Sequence, residues 1–236
     1  MHIASTLIAL VLAAGAQAMT VEDLMSAIRA GDAAAVTRLL ETAPALADAR
    51  NAEGMTPLSY AAYAGRNELL PLIRQRRAKP DFWEAAILGD VAAVKAAIAS
   101  GQDLNARAPD GYTALGLAVF FRHPELADVL LAAGADPSAQ ATNRQRVGPV
   151  HAAVARGDVA MLAKLLERGG DPNARQERGV TPMHDAAASG NTASVALLLF
   201  YGASPGPATD DGRTPADMAS ARGHEALAKR IAAYPR

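Results

Sequence analysis

A five-residue pattern, Ala-x-x-x-Gly, recurs along almost the whole chain, and no other feature restricts the possible folds as strongly. Its closing residue falls at Gly31, Gly65, Gly89, Arg122, Gly157, Gly190 and Gly223, at intervals of 34, 24, 33, 35, 33 and 33 residues. A period of this length marks an array in which each unit is one supersecondary element and the core is shared between neighbours. After each closing residue, apolar side chains fill most of the fourth, fifth, eighth and ninth positions. Examples are Ala35/Val36/Leu39/Leu40, Leu126/Ala127/Leu130/Leu131, Met161/Leu162/Leu165/Leu166 and Ser194/Val195/Leu198/Leu199. That spacing lays one apolar stripe along a helix. The chain therefore reads as an all-α repeat solenoid, with seven units of two short antiparallel helices spanning residues 19–236.

Turn signals separate the units: Ser100-Gly101-Gln102-Asp103-Leu104-Asn105, Ala133-Gly134-Ala135-Asp136-Pro137 and Gly169-Gly170-Asp171-Pro172-Asn173. Asp and Asn stabilise such turns by bonding their own backbone, and Gly tolerates the positive φ that ends a helix. Each following helix opens on Thr-Pro or a relative, as at Thr56-Pro57, Thr181-Pro182 and Thr214-Pro215. Thr caps free amides of the first turn, and Pro in that turn loses no bond.

The run Glu53-Gly54-Met55-Thr56-Pro57-Leu58-Ser59-Tyr60-Ala61-Ala62 resembles the opening motif of ankyrin repeats, as does Arg178-Gly179-Val180-Thr181-Pro182-Met183-His184-Asp185-Ala186-Ala187. Leu130-Leu131-Ala132-Ala133-Gly134-Ala135-Asp136 resembles that family's second-helix and loop ending. The resemblance covers residues 20–236. It implies loops formed as short β-hairpin fingers, a curved stack of units, and protein binding as the usual work.

Three departures carry information. Only 24 residues separate Gly65 from Gly89, too few for a normal finger, and Pro71 is expected to kink or shorten the second helix of that unit. An irregular junction is therefore expected near residues 71–81. The fifth unit is longer by two, which places Thr142-Asn143-Arg144-Gln145-Arg146 in an enlarged finger. The first and last units lack parts of the motif, as capping units do.

Residues 1–18 carry no charged side chain apart from His2, run apolar from 3 to 14, and end on Ala16-Gln17-Ala18. This reads as a secretory signal peptide cut before Met19, placing the protein in the periplasm or outside the cell. An uncleaved membrane anchor is the alternative, although the stretch barely reaches the roughly 18–20 residues of a span. No other segment is long and apolar enough to cross a bilayer, so no stable membrane insertion is expected after cleavage.

Chemistry is hard to find. The chain has no Cys, which removes disulfides, thiolate zinc sites, iron–sulfur clusters, a cysteine nucleophile and a lipid-anchored N-terminus. A net charge of −1 argues against a nucleic-acid partner. The basic run Arg74, Arg76, Arg77 and Lys79 reads as a solvated helix end. His151 and His184 lie one repeat apart, at the position where the resemblance implies a structural hydrogen bond rather than a metal ligand. His123 and His224 read as surface or capping residues. No phosphate-cradling loop and no nucleophile elbow appear, so neither catalytic residues nor cofactors are expected.

The resemblance further implies that the two residues before each closing position line the concave wall. These are Arg29/Ala30, Tyr63/Ala64, Ile87/Leu88, Phe120/Phe121, Ala155/Arg156, Ala188/Ser189 and Ala221/Arg222. The middle of the series is apolar, and Phe120 and Phe121 are half of the four Phe in the chain. Interface cores favour aromatics and their rims favour polar groups, with Arg prominent among hot spots. The expected protein-binding surface comprises Tyr63, Ile87, Leu88, Phe120 and Phe121, with Arg144, Arg146 and Arg156 as a charged rim. The expected protein is a non-enzymatic module, monomeric alone, that binds another exported protein. An enzyme with a site built between repeats, or a secreted effector bound to a host protein, are the alternatives.

Overall fold

A computed structural model of the chain describes residues 19–77 and 79–235. The expected leader, residues 1–18, lies outside them. The chain divides into two compact units, one ending at Lys79 and one beginning at Pro80.

In the first unit, α1 (Val21–Ala30) and α2 (Ala33–Thr42) form one helix pair. After a 3-10 turn at Pro44–Asp48, α3 (Pro57–Tyr63) and α4 (Leu70–Arg74) form another. Helix α1 packs on both α2 and α3 and buries Leu24, Met25 and Ile28 completely or nearly so. Pro71 sits in the first turn of α4, which a 3-10 turn at Asn67–Leu69 precedes and which is only five residues long.

The second unit contains five pairs among the described residues. They are α5 (Phe82–Leu88) with α6 (Val91–Ala99), α7 (Ala114–Phe120) with α8 (Pro124–Ala132), α9 (Pro149–Ala155) with α10 (Val159–Glu167), α11 (Pro182–Ala188) with α12 (Thr192–Phe200), and α13 (Pro215–Ala221) with α14 (Glu225–Ala232). The first helices stack in order, α5 on α7, α7 on α9, α9 on α11 and α11 on α13. The core lies between this row and the second helices, where Leu115, Leu117, Leu126, Leu130 and Leu162 are fully buried or nearly so. Each such side chain contributes about 1.5–3 kcal/mol of hydrophobic stabilisation.

The closing residue of the repeat explains how each pair turns. Gly31 adopts φ 73°, its amide bonds the Ile28 carbonyl, and the next amide, of Asp32, reaches back to Ala27. These two hydrogen bonds satisfy two carbonyls that a helix end leaves free. Asp32 then turns its side chain onto the Ala35 amide at 2.9 Å, capping the second helix. Asp90, Asp158 and Asn191 cap α6, α10 and α12 in the same way. Arg122 replaces Gly yet keeps the geometry, with φ 62° and the bonds Arg122 N to Val119 O and His123 N to Ala118 O. A left-handed residue with a Cβ costs about 1–2 kcal/mol relative to Gly.

Where the capping residue is missing, its replacement ties one pair to the pair before. His123 caps nothing; its Nε2 donates to the Ile87 carbonyl at 2.8 Å. In the first unit, Arg66 Nη2 donates to the Arg29 carbonyl at 2.6 Å. His123 is thus a half-buried structural residue rather than a surface one. Its ring lies where a Cβ on Gly89 would stand, 2.5 Å from Nδ1, so Gly89 is required by space as well as by its φ of 70°.

The fingers are tight turns, and no strand occurs among the described residues apart from an isolated bridge of Arg107 with Thr113. Four fingers close by one bond across four residues: Asn51 N to Met55 O, Ala108 N to Tyr112 O, Gln176 N to Val180 O and Thr209 N to Arg213 O. The fifth closes from Ala141 N to Val147 O, with its two extra residues inside the loop. Loops this short cannot extend a hairpin ladder. They are stapled to each other instead, Thr142 N to Gly111 O, Glu177 N to Gln145 O and Asp210 N to Arg178 O, at 2.9–3.0 Å.

Candidate protein-binding surface

The residue directly before each closing position is never buried, whereas the residue two before ranges from exposed to buried. Ile87 shows the difference. It is 4% exposed and therefore belongs to the core, not to a contact surface. Leu88, next along, is half-buried. Tyr63, also half-buried, belongs to the first unit, and the remaining expected contact residues belong to the second.

At the end of α7 the rings of Phe120 and Phe121 meet edge to face, 5.1 Å apart and at 81°. Both are half-buried. The Arg156 guanidinium lies over the Phe120 ring at 4.0 Å, a cation–π contact worth about 0.5–1 kcal/mol at an exposed site. Arg122 Nη2 donates to the Arg156 carbonyl at 3.0 Å, which fixes the end of α9. Arg156 was expected as a rim charge. Its guanidinium is instead part of the aromatic cluster, because the two residues occupy equivalent helix ends of adjacent pairs and their side chains meet.

Arg144 and Arg146 lie elsewhere. The seven residues of α9 separate the enlarged finger from Arg156, a rise of about 10 Å. Arg144 pairs with Glu177 at 2.6 Å, although its side chain is 90% exposed. Arg146 has φ 53° and contacts Gln140 Oε1 at 3.4 Å. Together with Arg107 and Asp136 these residues line a recess of about 580 Å³ on the finger side. The structure thus splits the expected surface into an aromatic cluster at helix ends and a basic recess at the fingers.

The two repeat histidines part company. His184 accepts the Thr181 amide at Nδ1, 3.1 Å, and donates from Nε2 to the Arg213 carbonyl, also 3.1 Å. Burial holds its pKa below the usual value. His151 is 1% exposed, and neither ring nitrogen completes a hydrogen bond. The helix opens there on Gly148, which offers no hydroxyl. The backbone of Val180 and Ala174 comes near enough to favour the imidazolium slightly without meeting bonding geometry, and burial pushes the pKa down to about 4. No group of three or more His, Asp or Glu that could hold a metal ion occurs among the described residues, and no described helix is long and apolar enough to cross a membrane.

The family model for ankyrin repeats in three copies matches residues 150–235, and that for ankyrin repeats in many copies matches residues 82–131, together more than half of the chain. This chain belongs to the ankyrin repeat family. As an ankyrin protein it is 34% identical over 96 residues to the inactive serine/threonine-protein kinase TEX14 of Mus musculus, and 36% over 91 residues to that of Bos taurus. These matches take in 41% and 39% of this chain but 6% of each relative, so the chain spans only a small part of the curated relatives' length.

One surface of the ankyrin array was not anticipated. Phe200 is 81% exposed and stacks edge to face on Tyr201 at 5.2 Å. With Leu199, Leu227, Ile231 and Tyr234 it lines a recess of about 300 Å³ between α12 and α14. Thr192–Phe200 contains no charged residue, whereas a surface helix ordinarily turns charges to water. The absence of charge was the available signal. The stripe reading covers only Ser194, Val195, Leu198 and Leu199 and leaves the apolar residues between and after them, Phe200 included, without a place.

Proposed function

We propose that this chain is an exported module of seven ankyrin units that binds another periplasmic or secreted protein, using the helix ends that the family turns to its concave side. The family supplies the general role, protein–protein interaction. The observation that carries the reading is the cluster of Phe120, Phe121 and Arg156. Two aromatic rings stand half in water at a surface, packed in fixed relative orientation and already covered on one side by a guanidinium. Such rings lose little freedom on binding and gain full burial, which is how a few residues come to dominate an interface. The apolar segment and Ala16-Gln17-Ala18 support export and therefore an exported partner.

Phe121 is the residue to change, because its substitution leaves the Arg156–Phe120 contact in place. Phe121→Ser is expected to weaken partner capture from the periplasmic or culture fraction by about 0.7–1.5 kcal/mol, roughly 3- to 10-fold, since half of the ring is already buried in the free chain. Helical signal and melting temperature should stay close to those of the parent. Capture at parental affinity by a folded Phe121→Ser protein would remove the cluster from the interface.

A further inference from the structure

Every described finger has a left-handed residue two places before the residue that opens the next helix, and the finger closed by Gln176 and Val180 has a second one, Arg178, just ahead of it. Gly fills this position at 54, 111, 179 and 212, and Arg146 fills it in the enlarged finger. The turn itself does not call for arginine. The Arg146 amide bonds the carbonyl and side-chain oxygens of Asn143 at 3.1 and 3.2 Å, and Gln140 Nε2 donates to the Arg146 carbonyl at 3.0 Å. These are main-chain bonds that glycine would make equally well. The guanidinium touches only Gln140 Oε1, at 3.4 Å, and takes part in no ion pair among the described residues. A strained residue whose side chain adds only this one long contact to its own finger points to a role outside the fold.

The surroundings define that role. The lining of the recess includes three arginines, Arg107, Arg144 and Arg146, and one acidic residue, Asp136, while a second carboxylate, Glu177, is paired with Arg144 beside it. Arg107 is anchored at the back by bonds from its side chain to the carbonyls of Gln140 and Asn105. Arg144 spends Nε on Glu177 and holds the rest of its fork in water. The staples from Thr142 to Gly111 and from Glu177 to Gln145 fix the finger on both sides, so the forks sit on a rigid frame.

We propose that this recess seats a short acidic segment of the partner protein, with Asp or Glu carboxylates taken by the forks of Arg144 and Arg146. Planar guanidiniums match carboxylates with two parallel bonds, which suits the residue type chosen at a strained position. A nucleic-acid backbone fits poorly, because it needs a continuous positive track. Here Asp136 lies in the lining, Asp110 belongs to the finger bonded directly to this one, and Asp210 belongs to the finger beyond the next. The proposal rests on the protein-binding reading above and adds the partner's chemistry at a second place on the surface.

The test is titration of fluorescein-labelled hexaglutamate with the full chain at low ionic strength. Arg146→Gly is expected to weaken binding roughly tenfold, the loss of one charge-assisted pair. Its melting temperature should rise by about 2–4 °C as the backbone strain is relieved. Arg144→Gln combined with Arg146→Gly should abolish binding. Phe121→Ser should bind hexaglutamate like the parent, so failure of the aromatic surface and failure of the recess are separable. The proposal is overturned if Arg146→Gly keeps full affinity, if it melts lower than the parent, or if hexathymidylate competes with hexaglutamate on equal terms.

Discussion

Leu165→Ala will destabilise the second unit by about 2–5 kcal/mol, the range for removing a fully buried leucine from a packed core. Leu165 is 0% exposed and lies on α10 between Leu162 and Leu166 of the same stripe. The cavity cannot close easily, because the Leu165 carbonyl accepts the Gly170 amide at 2.8 Å and pins the turn behind it. A Cβ on Gly170 would stand only 2.8 Å from that same oxygen. Since each pair is stabilised chiefly by its neighbours, the loss should spread along the array rather than stay in one helix. Denaturant unfolding followed by helical signal measures it, with Leu199→Ala as the half-buried control, expected to cost less than about 1.5 kcal/mol. Near-parental stability of Leu165→Ala would show that the layer relaxes around the missing atoms.

A second large effect is hidden in the parent protein and appears in variants. The pKa of His151 falls from an ordinary 6.5 to about 4 on folding, because burial disfavours its charge. Between pH 6.5 and 4 the unfolded chain therefore binds a proton that the folded chain does not, and acidification through this window destabilises by about 3 kcal/mol. Asp185 moves oppositely. Burial pushes its pKa up from 3.8 to about 6, against a stabilising hydrogen bond from Gln176. Here the folded chain binds the extra proton, so stability falls by about 3 kcal/mol as pH rises from 4 to 6. The two nearly cancel in the parent. His184, also depressed by burial, adds in the direction of His151. Asp185→Asn should retain the bond with Gln176 and unmask the histidines, losing about 3 kcal/mol between pH 7 and 4. His151→Leu should shift the balance the other way, towards greater stability in acid. Denaturation midpoints across this range decide it, and an Asp185→Asn profile as flat as the parent's would show that His151 is solvated in the native state.

Much of the fold could be read from residues because the local chemistry is repeated. Ala118 to Arg122 was assigned as a repeat closure despite lacking Gly, and Arg122 does adopt the left-handed turn with both closing bonds. Two extra residues after Arg122 predicted the long finger that Ala141 and Val147 close. The candidate surface was less legible, since it depends on which way individual side chains turn. Ile87 and Phe120 hold the same repeat position, yet one is buried and the other half-exposed, because the local packing around each helix end differs. The Arg156–Phe120 contact joins residues 36 apart and follows only from the stacking of α7 on α9. His151 lost its expected bond through a change three residues earlier, where Gly148 stands in place of the usual Thr.

A protein partner that covers the helix ends and fingers of the second unit will change amide hydrogen exchange there when the captured complex is compared with the free chain. Protection is expected at residues 120–123 and 142–147, with Thr192–Phe200 and the turn at Tyr234 unchanged. Protection confined to Thr192–Phe200 and Tyr234, leaving the Phe121 and Arg146 regions as in the free chain, would place the partner on the uncharged second-helix face instead.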